Sequence, residues 1–443
     1  MEMRTGNLWK KIMIYSLPLM VTNLLQLLFN IADVAIVGKF AGSLSLGAVG
    51  STTLLVSLTT GWFIGISNGV NAMVAYYIGS DDEKNKARAV NIGFALSMII
   101  GVVVAIFGFR YARMALTVLG TKDELIEEAI LYFRIYMLGS PALAAFNYGN
   151  AVLSAEGNTR EPLKYLMISG VINVILNLIF VINLHMTADG VALASIISQY
   201  ISAILILSLL IRNKEQYQFD VRQITFGASM TGKILKIGVP AAIQYSLFAV
   251  ANLFVQTAIN SFDHVVVEGN SAAMNIDAIV YDMMAAFYVA STSFIAQNYG
   301  AQKKDRVKKT YFITTAYSFG LAFVLGAILY VSRFQVLYIF TNDADVVAAG
   351  AIRLGTLSIC YCLSAFMDNA TAACRGLGKT VIPTIIVMCG SIVFRIIWIY
   401  TVFAHFHILN LLYIMYGCSF ILTAILGNIY FFILYKKTFR VNN

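Results

Sequence analysis

The hydrophobic positions of this chain fall in blocks long enough to cross the hydrocarbon of a bilayer, about 20 residues each. Twelve such blocks can be counted, centred near residues 24, 62, 99, 138, 174, 200, 247, 284, 320, 359, 392 and 422. Short polar connections separate them. The longest, roughly Arg212 to Lys236, has no core-forming pattern of its own, so no soluble appendage is expected. The pattern predicts an all-α, polytopic membrane protein of twelve transmembrane helices.

The polar positions that interrupt these blocks are few and patterned. The first block carries Asn23, Gln26, Asn30 and Asp33, spaced by three, four and three, which puts them on one helical face. Asp33 is its only acid. A carboxylate at membrane depth costs a few kcal/mol or more, so it faces protein or water and marks an ion or proton route; a solvated helix end near Gly38 and Lys39 is the blander reading. The fifth block carries Ser169, Asn173 and Asn177 at intervals of four. Such amides either glue helices together or supply oxygens to a cation and hold Asp33. The second block has Gly61, Gly65 and Gly69, read as a close helix–helix contact, with Asn68 and Asn71 beside it.

The second half offers Gln244, Asn252, Gln256 and Asn260 in span seven, and Asn275, Asp277 and Asp282 in span eight. Asn275 and Asp282 share a face; Asp277 points elsewhere. Asp368 in span ten is either a site or a capping acid near Arg375. Gln26, Asn68, Gln244, Asn252, Asn275, Asp277, Asp282 and Asp368 are the candidates for a substrate cleft. Arg395, deep in span eleven, demands a partner, and depth counting favours a structural ion pair with Asp282 or Asp277.

An internal repeat runs through the chain. KKIMIYSLP, ending at Pro18, resembles GKILKIGVP, ending at Pro240; the stretch around Gly79 resembles that around Gly300; AEGNTREP, with Gly157 and Pro162, resembles GLGKTVIP, with Gly378 and Pro383. The offset is 221 or 222 residues each time, and four of the five prolines are matched. Six spans per half make the repeat parallel: two six-helix bundles related by a pseudo-two-fold axis along the membrane normal. The expected domains are a bundle over 1–212, a cytoplasmic linker over 213–232 and a bundle over 233–443. The cleft between such bundles is the architecture of alternating access.

Composition agrees: 59% of residues are hydrophobic and 12% charged, against about 25% charged in soluble domains. A net charge of +9 would suggest nucleic acid in a soluble protein, but here it follows from topology. One set of connections holds 23 lysines and arginines and the other 5, so both termini are expected in the cytoplasm. MEMRTGNLWKK shows no cleavage site, so the first span is expected to be retained. The cysteines, Cys360, Cys362, Cys374, Cys389 and Cys418, are odd in number and lie in apolar spans, which reads as packing rather than disulfides.

Catalytic motifs are missing. ACRGLGKT around Lys379 has Ala373 where a phosphate loop needs Gly and follows a membrane span rather than a strand. No zinc pattern or nucleophile elbow occurs, and His185, His264, His405 and His407 fall in expected external loops. No enzyme activity, resident cofactor or nucleic-acid partner is expected.

NIADVAIVGKFAG in span one is similar to the aspartate-containing first-helix motif of the multidrug and toxic compound extrusion (MATE) family. AQNYGAQKKDRVKK resembles its loop after the eighth helix, and RGLGKTVIP its loop after the tenth. The likeness covers nearly the whole chain and is nearest the branch related to a bacterial DNA-damage-inducible efflux protein. It implies a bacterial plasma-membrane antiporter that exports amphiphilic organic cations in exchange for inward sodium or protons, working as a monomer. Asp33 matches the acid that binds the coupling ion, with Asn30, Asn173 and Asn177 beside it; sodium would bind at Asp33, Asn173 and Asn177. Asn177 falls where members of that branch carry a second acid. An amide cannot titrate, which counts against a two-carboxylate relay and leaves an oxygen-lined cation site open. The span-seven glutamate of the NorM-type branch is absent. An exporter of lipid-linked or amphiphilic lipids is the alternative function.

Overall fold

A computed structural model describes residues 1–220, 222 and 227–440. Positions 221 and 223–226, within the expected 213–232 linker, and 441–443 lie outside the described residues. The described chain is helical without a strand. In order it forms α1 (Leu8–Ile36), α2 (Gly42–Gly79), α3 (Glu83–Val118), α4 (Asp123–Leu138), α5 (Ser140–Ala155), α6 (Arg160–Leu178) and α7 (Ala188–Arg212). Then come α8 (Ala228–Ile259), α9 (His264–Gly300), α10 (Lys304–Leu337), α11 (Ala344–Gly376), α12 (Val381–Phe406) and α13 (Leu409–Arg440).

Among the described residues ten helical runs are long and apolar enough to cross a membrane, and α4 with α5, bent by 45°, makes an eleventh. One of the ten, Leu8–Gly79, is 72 residues long, several times the length that spans a roughly 30 Å hydrocarbon core. It is divided by a π turn at Val37–Ala41 and by Gly42, whose φ of +92° side chains rarely adopt. Counting α1 and α2 separately gives the twelve spans expected. Most of the large hydrophobic residues left exposed belong to these spans, as in the Ile421, Ile425, Ile429, Ile433 stripe of α13. In water such a surface would be an aggregation hazard; here it is the face that lipid covers.

The repeat is written in the backbone as well. Left-handed residues occur in pairs 221 or 222 apart: Asp81 and Gln302, Gly157 and Gly378, His185 and His407. The turns around them close alike. Asp82 donates to the Tyr77 carbonyl at 3.1 Å and Lys303 to that of Asn298 at 2.8 Å; Asn158 donates to Leu153 at 2.8 Å and Lys379 to Cys374 at 2.9 Å. ACRGLGKT is therefore one of these helix-ending turns. None of the five cysteines is in a disulfide.

Contacts divide the chain into two compact units. The first holds Met1–Glu2 and Val21–Ser246, the second Met3–Met20 and the chain from Leu247 onward. Both divisions fall within a helix, α1 and α8, and each of these helices carries an interior proline, Pro18 or Pro240. In the first unit, Ala112, Leu116, Phe133 and Met137 form a core between α3 and α4. In the second, Ile12, Tyr15 and Leu19 of α1 pack on Phe287 and Phe294 of α9, and the Tyr15 hydroxyl meets Ser293 Oγ at 2.9 Å.

The glycine stripe of α2 makes the close contact that its spacing predicts. A Cβ on Gly65 would lie 2.3 Å from the Ala242 nitrogen, one on Gly69 2.5 Å from the Ile234 carbonyl, and one on Gly61 2.9 Å from Tyr245. Two helix backbones touch here, so relief would require moving a whole helix. Gly65→Ala should lower stability by about 2–3 kcal/mol. Gly50→Ala, with nothing within 4 Å of its Cβ, should be neutral or slightly stabilising through helix propensity. Melting temperatures of the two variants in detergent check this, and equal shifts would refute the close crossing.

Candidate functional site

Asp33 lies one turn before the end of α1, and Asn173 and Asn177 lie one turn apart on α6. Asn177 Nδ2 donates to Asp33 Oδ1 at 2.5 Å and approaches Asn173 Oδ1 at 3.3 Å. Asn177 is fully buried, Asn173 nearly so, and Asp33 half-buried. The spacing of four puts both amides on one face of α6, where Asn177 meets the single acid of α1 and Asn173 meets Asn177. Asn177 Oδ1 is buried with no hydrogen-bond partner. An orphaned acceptor beside a carboxylate is what a cation or a donated proton would satisfy.

The backbone around this pair is unusual on both helices. The α1 helix leaves Asp33 through the π turn at Val37–Ala41, and α6 leaves Asn177 through a second at Ile179–Asn183. Ile36 and Val37 pack with Val181 and Val191, so apolar side chains close the C-terminal side of the acid. Tyr132 and Tyr136 of α4, stacked with centroids 6.0 Å apart, lie within electrostatic reach of Asp33. Among the described residues no three His, Cys, Asp or Glu side chains converge. A cation here would be held by one carboxylate and neutral oxygens, a set suited to a single positive charge.

The other predicted residues scatter. Gln26 and Asn30 are exposed and make no hydrogen bond to Asp33. Asn71 donates to the Ala151 carbonyl at 2.9 Å, a packing role. Asn68 Nδ2 and Gln244 Oε1, both in the first unit, are buried without partners. Asn252 is exposed, Gln256 donates to Asn260 at 2.8 Å, and Asn275, also exposed, bonds back to its own helix at Ser271. Asp282 is half-buried, while Asp277 on another face is buried. Asp368 is buried near the Tyr288 hydroxyl, and neither its Oδ2 nor that hydroxyl makes a hydrogen bond of good geometry.

The ion pair expected between Arg395 and Asp282 or Asp277 is not formed. Asp277 is taken by Arg353 of α11, whose Nε donates to Asp277 Oδ2 at 2.7 Å and whose Nη1 donates to Asn270 Oδ1 at 2.9 Å. Tyr413 of α13 donates to the same Asn270 oxygen at 3.1 Å. This network ties α9, α11 and α13 together with every charged group buried. Depth counting matched the acid to the wrong arginine. The signal for the right one was present: Arg353 also interrupts an apolar block, and Asn270 and Asp277 are seven apart on one helical face. Arg395 instead donates from Nε to Ser419 Oγ at 3.2 Å and lies against aromatic rings.

A second pair, with its lysine buried and its acid half-buried, was also not foreseen. Lys86 meets Glu156 at 2.8 Å and donates to the Gln216 carbonyl at 3.1 Å, joining the α3 start, the α5 end and the segment after α7. Burial pushes the Glu156 carboxyl above its ordinary value near 4.5, and Lys86 opposes that shift. Lys86→Met should therefore raise the Glu156 pKa further and destabilise the protein at neutral pH. A carboxyl raised in the folded state gives stability that is full below the unfolded pKa and lost as pH rises through the folded one. The melting temperature of this variant should recover toward wild type on acidification to about pH 4.5. A deficit independent of pH would show that the pair does not set stability there.

Similarity to known proteins fits this geometry. The family profile described as MatE matches residues 18–179 and again 240–401, two stretches of equal length 222 residues apart, which is the offset of the internal repeat. A probable multidrug resistance protein YpnP of Bacillus subtilis is 26% identical over 356 residues, 80% of each chain. A protein named FAD transporter from Shewanella oneidensis is 24% identical over 301 residues, 66% of each. The fold matches a structure described as the outward-facing conformation of a multidrug resistance MATE family transporter, with a TM-score of 0.92 and 23% identity, covering 98% of this chain and 97% of that one. With both halves of its repeat matched and all twelve spans in place, the chain belongs to the MatE family of multi-pass membrane transporters.

Proposed function

We propose that the protein is a secondary active exporter of amphiphilic organic cations, driven by inward movement of sodium or protons. The observation that carries this is the Asp33–Asn177–Asn173 cluster: the one acid of α1 held by the buried Asn177 of α6, which also reaches Asn173, with the Asn177 amide oxygen left unsatisfied. In this reading the coupling ion binds Asp33 when the site is open to the outside, and the first unit rearranges to release cargo outward by alternating access. A ligand shifts such a balance only by its differential affinity for the two states, so the ion must prefer the outward-open form. The relatives named as multidrug resistance proteins support drugs as cargo. The distribution of lysines and arginines supports both termini on the cytoplasmic side of a bacterial plasma membrane, with a monomer as the working unit.

Dye efflux from vesicles under separately imposed sodium and pH gradients tests the reading. Efflux of a cationic dye that needs one of the gradients supports it and names the ion. Efflux indifferent to both, or transport of a labelled lipid in its place, would replace coupled cation export with a lipid exporter.

A further inference from the structure

On α3, 21 uncharged residues separate Arg88 from Arg110, about 32 Å of helix, which is the thickness of a hydrocarbon core. Arg110 therefore stands at the edge of the bilayer, where lipid phosphates lie. Arg134 of α4 comes to the same level: its Nε donates to the Phe109 carbonyl at 3.1 Å, and its guanidinium lies 5.3 Å from the centre of the Phe109 ring. The guanidinium of Arg110 lies 5.9 Å from the ring centre of Tyr111. Two cationic groups thus gather about one peptide unit of α3, each beside an aromatic ring.

The nearby carboxylates are engaged elsewhere or out of reach. Glu127 pairs with Arg113, and Glu128 accepts from Ser45 Oγ and from the Ala188 nitrogen. Asp123 and Glu124 begin α4, about 15 Å along the helix from Arg134. Both guanidinium groups lie at the surface: Arg110 is exposed and Arg134 half-buried. Snorkelling alone would carry Arg134 toward water, whereas its Nε is held to a backbone carbonyl, leaving the rest of its planar donor fork for a ligand. On the same helix faces, one and two turns toward the hydrocarbon, Ile106, Phe107 and Val103 of α3 and Leu138 of α4 are exposed as well. A free anion would gain nothing from that apolar strip. A phospholipid fits both parts, its phosphate on the arginines and its acyl chains along the strip.

We infer that Arg110 and Arg134 form a binding site for the phosphate of an anionic phospholipid whose acyl chains lie along α3 and α4. With both termini cytoplasmic, as proposed above, that lipid belongs to the outer leaflet. The site needs neither coupling ion nor cargo, so it stands or falls apart from the export reading, and binding can be measured without any gradient. Full-length protein in dodecyl maltoside would be titrated with dioleoyl phosphatidylglycerol and with dioleoyl phosphatidylcholine, bound lipid being read by native mass spectrometry, with inorganic phosphate as a competitor.

Arg110→Gln and Arg134→Gln should each weaken phosphatidylglycerol binding about fivefold, as loss of one cation at a lipid phosphate gives, and leave phosphatidylcholine binding unchanged. The double variant should erase the preference of wild type for the anionic lipid. Lys122→Gln, an equal loss of charge on the α3–α4 turn, should change binding less than about twofold, because Lys122 stands outside the arginine pair. Equal binding of the two lipids by wild type would overturn the assignment. So would a fivefold loss in Lys122→Gln, which would make the attraction one of diffuse surface charge, or inorganic phosphate that competes as well as the lipid binds, which would make the ligand a soluble anion. Should Arg134→Gln fail to fold, Arg110→Gln carries the test alone, since the Arg110 side chain bonds to no protein acceptor among the described residues. A preference for the anionic lipid in a protein that shows no gradient-driven efflux would leave this site standing and sink only the coupling.

Discussion

Vesicles carrying Asp33→Asn should lose gradient-driven dye efflux, by at least about tenfold, while the variant melts within a few degrees of wild type. The first half follows from what coupling requires: a tenfold bias between two states needs about 1.4 kcal/mol of differential binding, and Asp33 is the only charge in its cluster able to supply it. The second half follows from the contacts. Asparagine has nearly the shape of aspartate, its oxygen can still accept from Asn177 Nδ2, and exchanging a charge-assisted hydrogen bond for a neutral one costs about 1–2 kcal/mol. Part of that is returned, because a neutral group at membrane depth carries no charge-burial penalty. Asn177→Leu should cost less transport than Asp33→Asn, since it removes the brace and leaves the charge. Asp33→Asn that exports like wild type would remove the ion from this site. Asp33→Asn that unfolds would make the acid a structural one.

What could be read from the sequence divides along physical lines. Span count, repeat and the α2 glycine contact are one-dimensional signals: block length, offset and a spacing of four each fix a local geometry that packing has no reason to override. The Asp33–Asn177 contact was within reach for the same reason, since each helix places its polar face by periodicity and the bundle interior is the only place both can go. Pairing between charges was not. Depth counting put Arg395 level with Asp277, but choosing between Arg353 and Arg395 requires the rotation of α9, α11 and α12 about their axes, which interhelical packing sets. The Lys86–Glu156 pair was hidden differently. Lys86 belongs to a run that reads as a solvated basic loop, and its burial depends on the segment after α7 folding back over it. Nor does periodicity show that α1 and α8 each divide between the two units, at Met20 and Ser246, because a helix pattern continues unbroken through a change of neighbours.

Truncating the two buried arginines should give costs of different size. Arg353→Met leaves Asp277, 2% exposed, as an uncompensated charge and strips Asn270 of a donor, so about 3–5 kcal/mol of stability should be lost. The double variant Arg353→Met with Asp277→Leu should recover most of that, because removing both partners abolishes the desolvation penalty together with the attraction that offset it. Arg395→Met orphans no contacting carboxylate. It loses aromatic contacts worth about 1–2 kcal/mol and keeps much of the packing, since methionine replaces the aliphatic stem. Thermal melts of the four proteins in one detergent would settle the order. If Arg395→Met proved as damaging as Arg353→Met, then Asp368 would be its counter-charge across the bundle and the pair would be structural. If the double variant stayed as unstable as Arg353→Met alone, the cost would lie in the volume and hydrogen bonds of the arginine joining α9, α11 and α13, not in the charge left behind on Asp277.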